Sequence, residues 1–313
     1  MDKVMLGQTG LMPTVAGLGC GGHSRLGMNK YGEKHAADIV RHALDMGVNF
    51  FDTAAIYETE KALGQGLAGI PREEYILSSK CLCLNSDGNI RKPETLMNTL
   101  ENCLRELKTD YVDIYHLHAV TRDYYIEARD TFVPVLQKAR EQGKLRFIGI
   151  TEDFAEDTSH EMLKLALADR IFEVIMVGYN LLNPSARSTV LPATMQDNVG
   201  VLGMFAVRSA LSNKQRLRAN LEIIKNSGQA GPGFQVSDDI LNFLAEDAQA
   251  ESVINAAYRF CRHTKGIDVT LTGTSDKRHL EENLRSINMP ALPESVLAQL
   301  EGLFGGVDCV SAE

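Results

Sequence analysis

The sequence contains no tryptophan, no CxxC pair, no long apolar run and no cluster of basic residues. Without a run of about 20 apolar residues we expect no membrane-spanning helix, and no secretory signal peptide is recognisable. The net charge of −9 argues against a nucleic-acid-binding surface. The six cysteines follow no disulfide or zinc spacing, which predicts reduced thiols and a cytoplasmic protein.

What the sequence does have is length and a regular alternation of patterns. Its 313 residues are 44% apolar, enough for one large core. Short apolar segments alternate with amphipathic helical patterns, which predicts an α/β protein, a (β/α)8 TIM barrel forming a single domain over residues 1–313. The alternative is a doubly wound open sheet. We also expect an N-terminal hairpin over residues 3–14 and a C-terminal tail helix over residues 294–304.

The boundaries of these elements follow from periodicity and from turn residues. The predicted strands cover residues 14–19, 49–52, 75–80, 112–118, 145–151, 174–177, 201–207 and 268–272. The predicted helices cover residues 33–46, 61–67, 93–107, 131–141, 187–197, 279–287 and 294–304. Thr158 and Glu161 predict a capping box at the start of a further helix that ends at Ala168. Residues 208–236 read as a long loop with a helical piece, and residues 237–264 as helical in parts.

Three polar residues lie at or just after the ends of neighbouring predicted strands. Asp52 ends one strand, Tyr57 lies in the following loop and Lys80 ends the next strand. An aspartate beside a lysine keeps the ammonium charged, and the ammonium lowers the pKa of a nearby phenol, so Tyr57 becomes a usable proton donor. His118 and Thr151 end further strands, and the carboxyl ends of barrel strands meet at one rim. The alternatives are an internal Asp52–Lys80 salt bridge and a buried, hydrogen-bonded His118.

Two other patterns suggest different sites. His116 and His118 share one face of a strand, as in metal-dependent barrel hydrolases, and of the other histidines only His23 lies near a strand end. We therefore expect no metal and keep such a hydrolase as a less favoured alternative. Gly17-x-Gly19-x-x-Gly22 matches the dinucleotide fingerprint, which requires a helix immediately afterwards. The next helix begins near Glu33, so we read the glycines as a strand exit that lets a ligand approach the backbone.

Several motifs together resemble the aldo-keto reductase family. They are similar in order and content to the family's hairpin and first strand, its aspartate–tyrosine segment, its lysine strand, its histidine strand, its fifth strand and its C-terminal cofactor segment. In this sequence they read LGQTGLMPTVAGLGCGG, GVNFFDTAAIYETEKALGQGL, ILSSK, LKTDYVDIYHLH, GKLRFIGIT and LTGTSDKRHLEENL. The resemblance covers nearly the whole chain.

The resemblance implies a (β/α)8 barrel that binds a nicotinamide cofactor without a Rossmann domain. It assigns a catalytic tetrad to Asp52, Tyr57, Lys80 and His118. It implies hydride transfer between the nicotinamide and a carbonyl carbon, with Tyr57 as proton donor, Lys80 held by Asp52, and His118 orienting the carbonyl. The expected enzyme is an NAD(P)(H)-dependent oxidoreductase acting on an aldehyde, ketone or sugar, or on the corresponding alcohol.

The same resemblance implies contacts to the cofactor, and several positions depart from the family pattern. The implied cofactor-binding residues are Thr151, Glu152, Met176, Arg208, Thr274, Ser275, His279, Glu282 and Asn283. Thr151-Glu152 replaces the usual Ser-Asn, and Met176 replaces the usual glutamine, so the grip on the carboxamide is altered. His279 stands where the family has an arginine for the 2′-phosphate, with Lys277 and Arg278 nearby. We expect NADP(H) to be preferred over NAD(H).

The substrate is a small molecule with a carbonyl or hydroxyl group. His23, His116 and Tyr179 are the expected lining residues, and the polar loop at residues 119–125 favours a hydroxylated substrate such as a sugar. We expect no nucleic-acid or membrane partner. The departures at Thr151, Glu152 and Met176 leave a second hypothesis open, a nucleotide-binding barrel with a non-catalytic regulatory role.

Overall fold

A closed barrel of eight parallel strands forms the centre of the protein in the computed structural model, which describes residues 1–246 and 250–313. The strands run in chain order around the barrel, and β1 pairs with both β2 and β8. They are β1 (Ala16–Gly19), β2 (Phe50–Asp52), β3 (Ile76–Leu82), β4 (Val112–Val120), β5 (Leu145–Glu152), β6 (Val174–Gly178), β7 (Gly200–Met204) and β8 (Val269–Thr272). The predicted TIM barrel is confirmed, and the open-sheet alternative is wrong because the first and last strands pair.

Helices connect the strands and cover the outside of the barrel. They are α1 (Met28–Tyr31), α2 (Glu33–Asp45), α3 (Glu60–Gly66), α4 (Pro93–Leu107), α5 (Tyr125–Glu141), α6 (Glu161–Asp169), α7 (Ala186–Thr189), α8 (Leu191–Asp197), α9 (Lys214–Ser227), α10 (Phe243–Glu246), α11 (Val253–Arg262), α12 (Lys277–Asn288) and α13 (Glu294–Phe304). No helix in the described part of the chain is long and apolar enough to cross a membrane.

Helix α4 illustrates how the sequence produces these elements. Pro93 occupies its first turn, where a missing N–H group costs nothing, and the helix ends before Lys108, which has a φ of 56°. Leu96, Leu100 and Leu104 recur every four residues and are buried. Each such side chain contributes about 1.5–3 kcal/mol when it is removed from water. The apolar stripe therefore fixes the helix against the barrel wall.

The lower part of the barrel interior is an apolar layer beneath the polar site. Phe50, Ile76 and Ile114 point inward and pack in one buried cluster with side chains of β6, β7 and β8. Leu6 and Leu11 from the N-terminal segment close this layer. That segment is a hairpin, as predicted, in which the backbone N–H of Leu6 donates to Leu11 O at 3.0 Å. The cluster at this end of the barrel is apolar, so we expect a functional site at the opposite rim, where the strands have their carboxyl ends.

Three details of the prediction were wrong. The predicted capping box at Thr158 does not form, because Asp157 accepts hydrogen bonds from the backbone N–H groups of Glu161 and Met162 and so begins α6. Helix α5 begins six residues before the predicted start at residue 131, and β7 ends at Met204 instead of residue 207. Of the stretch 237–264, predicted to be helical in parts, residues 247–249 lie outside the described residues.

Candidate active site

The centre of the candidate site is a buried ion pair between β2 and β3. Lys80 Nζ lies 2.6 Å from Asp52 Oδ2 and donates a second hydrogen bond to Thr53 O at 2.7 Å. Burial disfavours the charge of Lys80, but the Asp52 carboxylate outweighs this effect and raises the pKa of the lysine. Burial raises the pKa of Asp52 against the opposing effects of Lys80 and of Ser78, whose hydroxyl donates to Asp52 Oδ1 at 2.7 Å.

Tyr57 lies beside this pair on the short turn that follows β2. A 3₁₀ helix over Ala55–Tyr57 carries the ring, and Lys80 Nζ lies 5.0 Å from the ring centre. Burial raises the pKa of Tyr57, and the ammonium of Lys80 opposes that increase. The phenol is thus a protonated group beside a fixed positive charge. A Cβ atom on Gly21 would lie 2.6 Å from the Tyr57 ring, which explains a glycine in the strand exit.

His118, near the end of β4, completes the cluster. Its Nε2 lies 3.3 Å from the Tyr57 hydroxyl, and the two rings meet edge to face with centroids 5.5 Å apart. Burial and the charge of Lys80 lower the pKa of His118 to about 3, so its imidazole is neutral. A neutral imidazole can donate one hydrogen bond to a carbonyl oxygen without carrying charge. The four residues that the sequence predicts as a tetrad are therefore brought together.

A cavity of about 160 Å³ opens next to Asp52 and Tyr57. Its other walls are glycines from the β1 exit and apolar side chains from β6, β7 and the segment after β7, including Met176, Met204 and Phe205. A second cavity, of about 560 Å³, shares the lining residues Val207, Tyr258 and Gly273 with the first. The two cavities adjoin and form one groove leading from Tyr57 to the first turns of α12.

The C-terminal residues predicted to bind a cofactor mostly line the larger cavity. They are Thr274, His279, Glu282 and Asn283. The Asn283 side chain donates to Thr272 Oγ1 at 3.0 Å, which fixes its amide at the junction of β8 and α12. Ser275 lies next to this set and accepts a hydrogen bond at its backbone oxygen from His35 Nε2, at 2.7 Å.

The predicted carboxamide contacts are placed differently. Glu152 is fully buried, and its carboxylate accepts hydrogen bonds from His160 Nδ1 at 2.9 Å and from the backbone N–H of Gly178 at 2.7 Å. Thr151 Oγ1 accepts from the backbone N–H of Ala119 at 2.8 Å. Neither residue is among the described residues that line the smaller cavity, whereas Met176 is.

Arg208 follows β7 and is already engaged within the protein. Its guanidinium pairs with the side chain of Glu313 and lies 4.0 Å from the centre of the Phe205 ring. The same Glu313 carboxylate contacts His23 Nε2 at 2.9 Å. Glu313 therefore joins a residue expected at the cofactor to one expected at the substrate, and the His23 side chain is otherwise 93% exposed.

None of the three expected substrate-lining residues, His23, His116 and Tyr179, is among the described residues that line either cavity. His116 is fully buried behind Asp52, with its Nε2 3.1 Å from Ser78 Oγ. Tyr179 is buried, accepts a hydrogen bond from Thr264 at 3.1 Å and stacks on Phe260 with centroids 5.4 Å apart. The predicted lining roles of His116 and Tyr179 are corrected, because both side chains are buried and contact other residues inside the protein.

The alternative of a metal site also fails on geometry. Nε2 of His116 and Nε2 of His118 are each within hydrogen-bonding distance of a hydroxyl group. Across residues 1–246 and 250–313, no group of three or more His, Cys, Asp or Glu side chains is arranged to hold a metal ion.

Sequence reasoning missed several residues at the site. Phe205 directly follows β7, so its place at a strand end was a usable signal. Ser78 shares the inward face of β3 with Lys80, and strand alternation predicts that position. Tyr258 comes from the middle of α11 and reaches the groove through a hydrogen bond to Thr272, for which the sequence carries no signal.

Comparison with known proteins identifies the family and the fold. Residues 17–304 match the profile of the Aldo/keto reductase family. An L-galactose dehydrogenase from Arabidopsis thaliana is 28% identical over 315 residues, covering 96% of this chain and 93% of that protein. The uncharacterized oxidoreductase YqkF from Bacillus subtilis is 24% identical, covering 96% of each.

A solved structure shows the same fold. It is the holo form of the aldo-keto reductase AKR11C1 from Bacillus halodurans, with a TM-score of 0.75 and 22% identity, covering 98% of this chain and 97% of that one. The family profile extends over nearly the whole barrel. The chain belongs to the aldo/keto reductase family and is an NAD(P)-dependent oxidoreductase.

Proposed function

We propose that the protein transfers a hydride between a nicotinamide dinucleotide and a small carbonyl or alcohol substrate, with Tyr57 as the proton donor and acceptor. The observation that carries this proposal is the position of the Tyr57 hydroxyl. It lies 3.3 Å from the neutral His118, beside the buried Lys80 ammonium, and at the wall of a cavity that continues toward α12. Family membership supports the same chemistry.

Each residue of the cluster has a distinct task in this reaction. In the reductive direction the Tyr57 hydroxyl donates a proton to the carbonyl oxygen as that oxygen gains negative charge. The Lys80 ammonium stabilises the phenolate that remains, and Asp52 keeps the ammonium in place. His118 donates a hydrogen bond through Nε2 and orients the carbonyl. Proton transfer of this kind contributes about 100- to 10,000-fold to a rate.

The groove fits a dinucleotide. A nicotinamide group supplies the hydride, and the adjoining cavities offer a short apolar section next to Tyr57 and a longer polar section along α12. Met176, Met204 and Phe205 would hold the nicotinamide ring by apolar contact, while Thr274, Glu282 and Asn283 would hold the adenosine end. The carboxylate of Glu152 stays with His160 and Gly178, so the ring is held mainly by packing in this proposal.

NADP(H) is the proposed preferred cofactor. The first turn of α12 presents Lys277, Arg278 and His279 at its exposed surface, and His279 lines the larger cavity. Cations at the first turn of this helix offer charge-assisted donors to a 2′-phosphate. Glu282 lies on the same face and pairs with Arg278 at 3.3 Å, which weakens this preference and keeps NAD(H) as the alternative.

The proposed substrate is a polar, hydroxylated carbonyl compound such as a sugar. The similarity to an L-galactose dehydrogenase supports this class. The polar loop at residues 119–125 gives less support than the sequence suggested, because Tyr124 and Tyr125 both use their hydroxyls inside the protein. The cytoplasm is the proposed compartment, because all six cysteines are free thiols and five of them are buried.

Titration with NADPH and NADH, followed by the fluorescence of the nicotinamide, tests this proposal. The chain has no tryptophan, so the emission of the cofactor is the cleaner signal. We expect saturable binding of both cofactors with a lower Kd for NADPH, and oxidation of the bound cofactor when sugars or aldehydes are added. Binding without turnover across a broad carbonyl panel would favour the non-catalytic nucleotide-binding role. Absence of binding would contradict both.

A further inference from the structure

His116 is a second histidine inside the barrel, behind the tetrad. It lies on β4 in register with Lys80 on β3, and its side chain is fully buried. Its Nε2 lies 3.1 Å from Ser78 Oγ. The ring therefore does not line the cavity, and the Ser78 hydroxyl lies between it and the Asp52 carboxylate.

The direction of these hydrogen bonds can be deduced from the donors available. The Asp52 carboxylate, held ionised by Lys80 at 2.6 Å, can only accept, so the Ser78 hydroxyl gives its single proton to Asp52 Oδ1 at 2.7 Å. Ser78 Oγ then has only an acceptor left for His116. The His116 ring must donate, which fixes its proton on Nε2.

Gly149 leaves space for Nδ1, the other nitrogen of the His116 ring. A Cβ atom built on Gly149 of β5 would overlap Nδ1 of His116. Within the described part of the chain, Nδ1 makes no hydrogen bond. Burial and the Lys80 charge hold the pKa of His116 well below its usual value, and a weaker interaction with the Ile150 backbone opposes this, so the ring is neutral and carries one proton. The geometry at Ser78 assigns that proton to Nε2.

We propose that His116 is a positioning residue: through Ser78 it holds the Asp52 carboxylate in the orientation that anchors the Lys80 ammonium beside Tyr57. This inference rests on the proposed function. The relay consists of His116 Nε2–H, the Ser78 hydroxyl and Asp52 Oδ1, and it leaves Asp52 Oδ2 for Lys80. Neither His116 nor Ser78 touches the substrate.

The relay matters because Asp52 is buried among other ionisable groups. Lys80 and Tyr57 face it from β3 and from the turn after β2, and Cys20 faces it from the β1 exit. His118 faces Lys80 from β4 and is neutral. Lys80 and the Ser78 donor favour the ionised carboxylate, whereas burial and a thiolate or phenolate oppose it. Loss of the Ser78 donor raises the pKa of Asp52, and protonation of Asp52 releases the Lys80 ammonium.

Two pairs of variants test the relay. Ser78→Ala removes the hydroxyl, and Ser79→Ala is its matched control because Ser79 faces outward on the same strand and donates to Glu60 at 2.9 Å. His116→Leu removes the ring donor with similar bulk, and His116→Gln retains an N–H donor. For each variant the pH profile of kcat and the Kd for NADPH are measured, together with the ¹⁵N NMR signals of His116.

We expect Ser78→Ala and His116→Leu each to lower kcat by about 10- to 100-fold, because each removes or misdirects the charge-assisted hydrogen bond from Ser78 to the Asp52 carboxylate. The acid limb of the kcat profile moves to higher pH, because a carboxylate that has lost a donor protonates at higher pH. The Kd for NADPH stays unchanged. His116→Gln recovers most of kcat, and the double variant is no slower than either single variant. Ser79→Ala keeps the wild-type profile.

A Ser78→Ala profile equal to that of Ser79→Ala, whether both are unchanged or both are reduced, would overturn the relay. If His116→Leu does not fold, the pH profiles of Ser78→Ala and His116→Gln still test the relay.

The NMR experiment distinguishes failure of the relay from failure of the proposed function. Wild-type protein with Nε2-protonated His116 but no carbonyl turnover would contradict the function and with it the positioning role. Active wild-type protein with His116 protonated on Nδ1 would contradict the relay alone.

Discussion

The ammonium nitrogen of Lys80 lies 5.0 Å from the centre of the Tyr57 ring. Lys80 is among the largest fully buried side chains of the described residues, and its charge is balanced by Asp52 at 2.6 Å. A buried cation next to a phenol stabilises the phenolate more than the phenol, and this effect is large where water is excluded. Lys80 therefore offsets part of the increase in the Tyr57 pKa that burial causes, and it stabilises the phenolate left when the proton is transferred.

Substitution Lys80→Met is expected to affect both stability and activity. It leaves the Asp52 carboxylate buried without its cation, which costs about 3–5 kcal/mol of the free energy of unfolding. Turnover falls because the Tyr57 phenolate loses its neighbouring charge. Denaturant unfolding and carbonyl reduction assays measure the two effects, with Lys138→Met on the exposed face of α5 as the control. Wild-type values for both would show that the ion pair has neither role.

Substitution Gly149→Ala is expected to destabilise the barrel. The added methyl group overlaps the buried ring of His116, and overpacking of this kind costs about 1–3 kcal/mol. Gly302→Ala in α13 is the matched control, because a Cβ atom there meets no atom within 4 Å and alanine favours a helix. Thermal or denaturant unfolding compares the two. Equal stability of the two variants would contradict the tight packing of His116 against β5.

The pH dependence of stability should report on His118. Unfolded histidine titrates near 6.5, whereas the pKa of His118 in the folded protein is about 3. Between these values the unfolded state binds more protons, so the free energy of unfolding falls as pH falls. In His118→Gln this contribution is missing, and the slope is shallower by up to about 1.4 kcal/mol per pH unit. Parallel curves for wild type and variant would contradict a buried, neutral His118.

Arg278 is expected to contribute to cofactor choice. It is exposed in the first turn of α12, next to His279 at the larger cavity. Because an exposed ion pair is worth about 0.2–1 kcal/mol, Arg278→Ala should raise the Kd for NADPH by about 1.4- to 5-fold and leave that for NADH unchanged. Fluorescence titration at low and high salt measures both constants, with Arg218→Ala on α9 as the control. An equal loss for both cofactors would place Arg278 elsewhere than at the 2′-phosphate.

The sequence predicted those parts of the site that depend on strand geometry. Side chains alternate along a strand, and the carboxyl ends of parallel barrel strands meet at one rim. Once the strands were identified, these two rules predicted that Asp52, Lys80 and His118 lie close together. Tyr57 followed from its distance behind Asp52 together with the family resemblance. The tail helix over residues 294–304 was also predicted with its correct limits.

The sequence could not predict contacts made by residues that loops bring together. Glu152 turns to His160, a residue with a φ of 64° in the loop before α6, and this pairing removes it from the expected carboxamide site. Arg208 is held by Glu313, more than 100 positions away in the chain. Such pairings depend on loop conformations that periodicity does not encode. The sequence placed His116 on the correct face of β4. The space for its buried ring depends on Gly149, its neighbour on β5, where a Cβ atom would overlap the ring.

Comparison of wild type with Tyr57→Phe tests the central claim most directly. The substitution removes only the phenol oxygen, which lies 3.3 Å from His118 Nε2. Nicotinamide fluorescence gives the Kd for NADPH, and absorbance follows turnover of a carbonyl that the wild type reduces. We expect an unchanged Kd and a kcat at least about 100-fold lower, because the proton donor is lost. Retention of wild-type turnover by Tyr57→Phe would contradict the assignment of Tyr57 as the proton donor and, with it, the proposed mechanism.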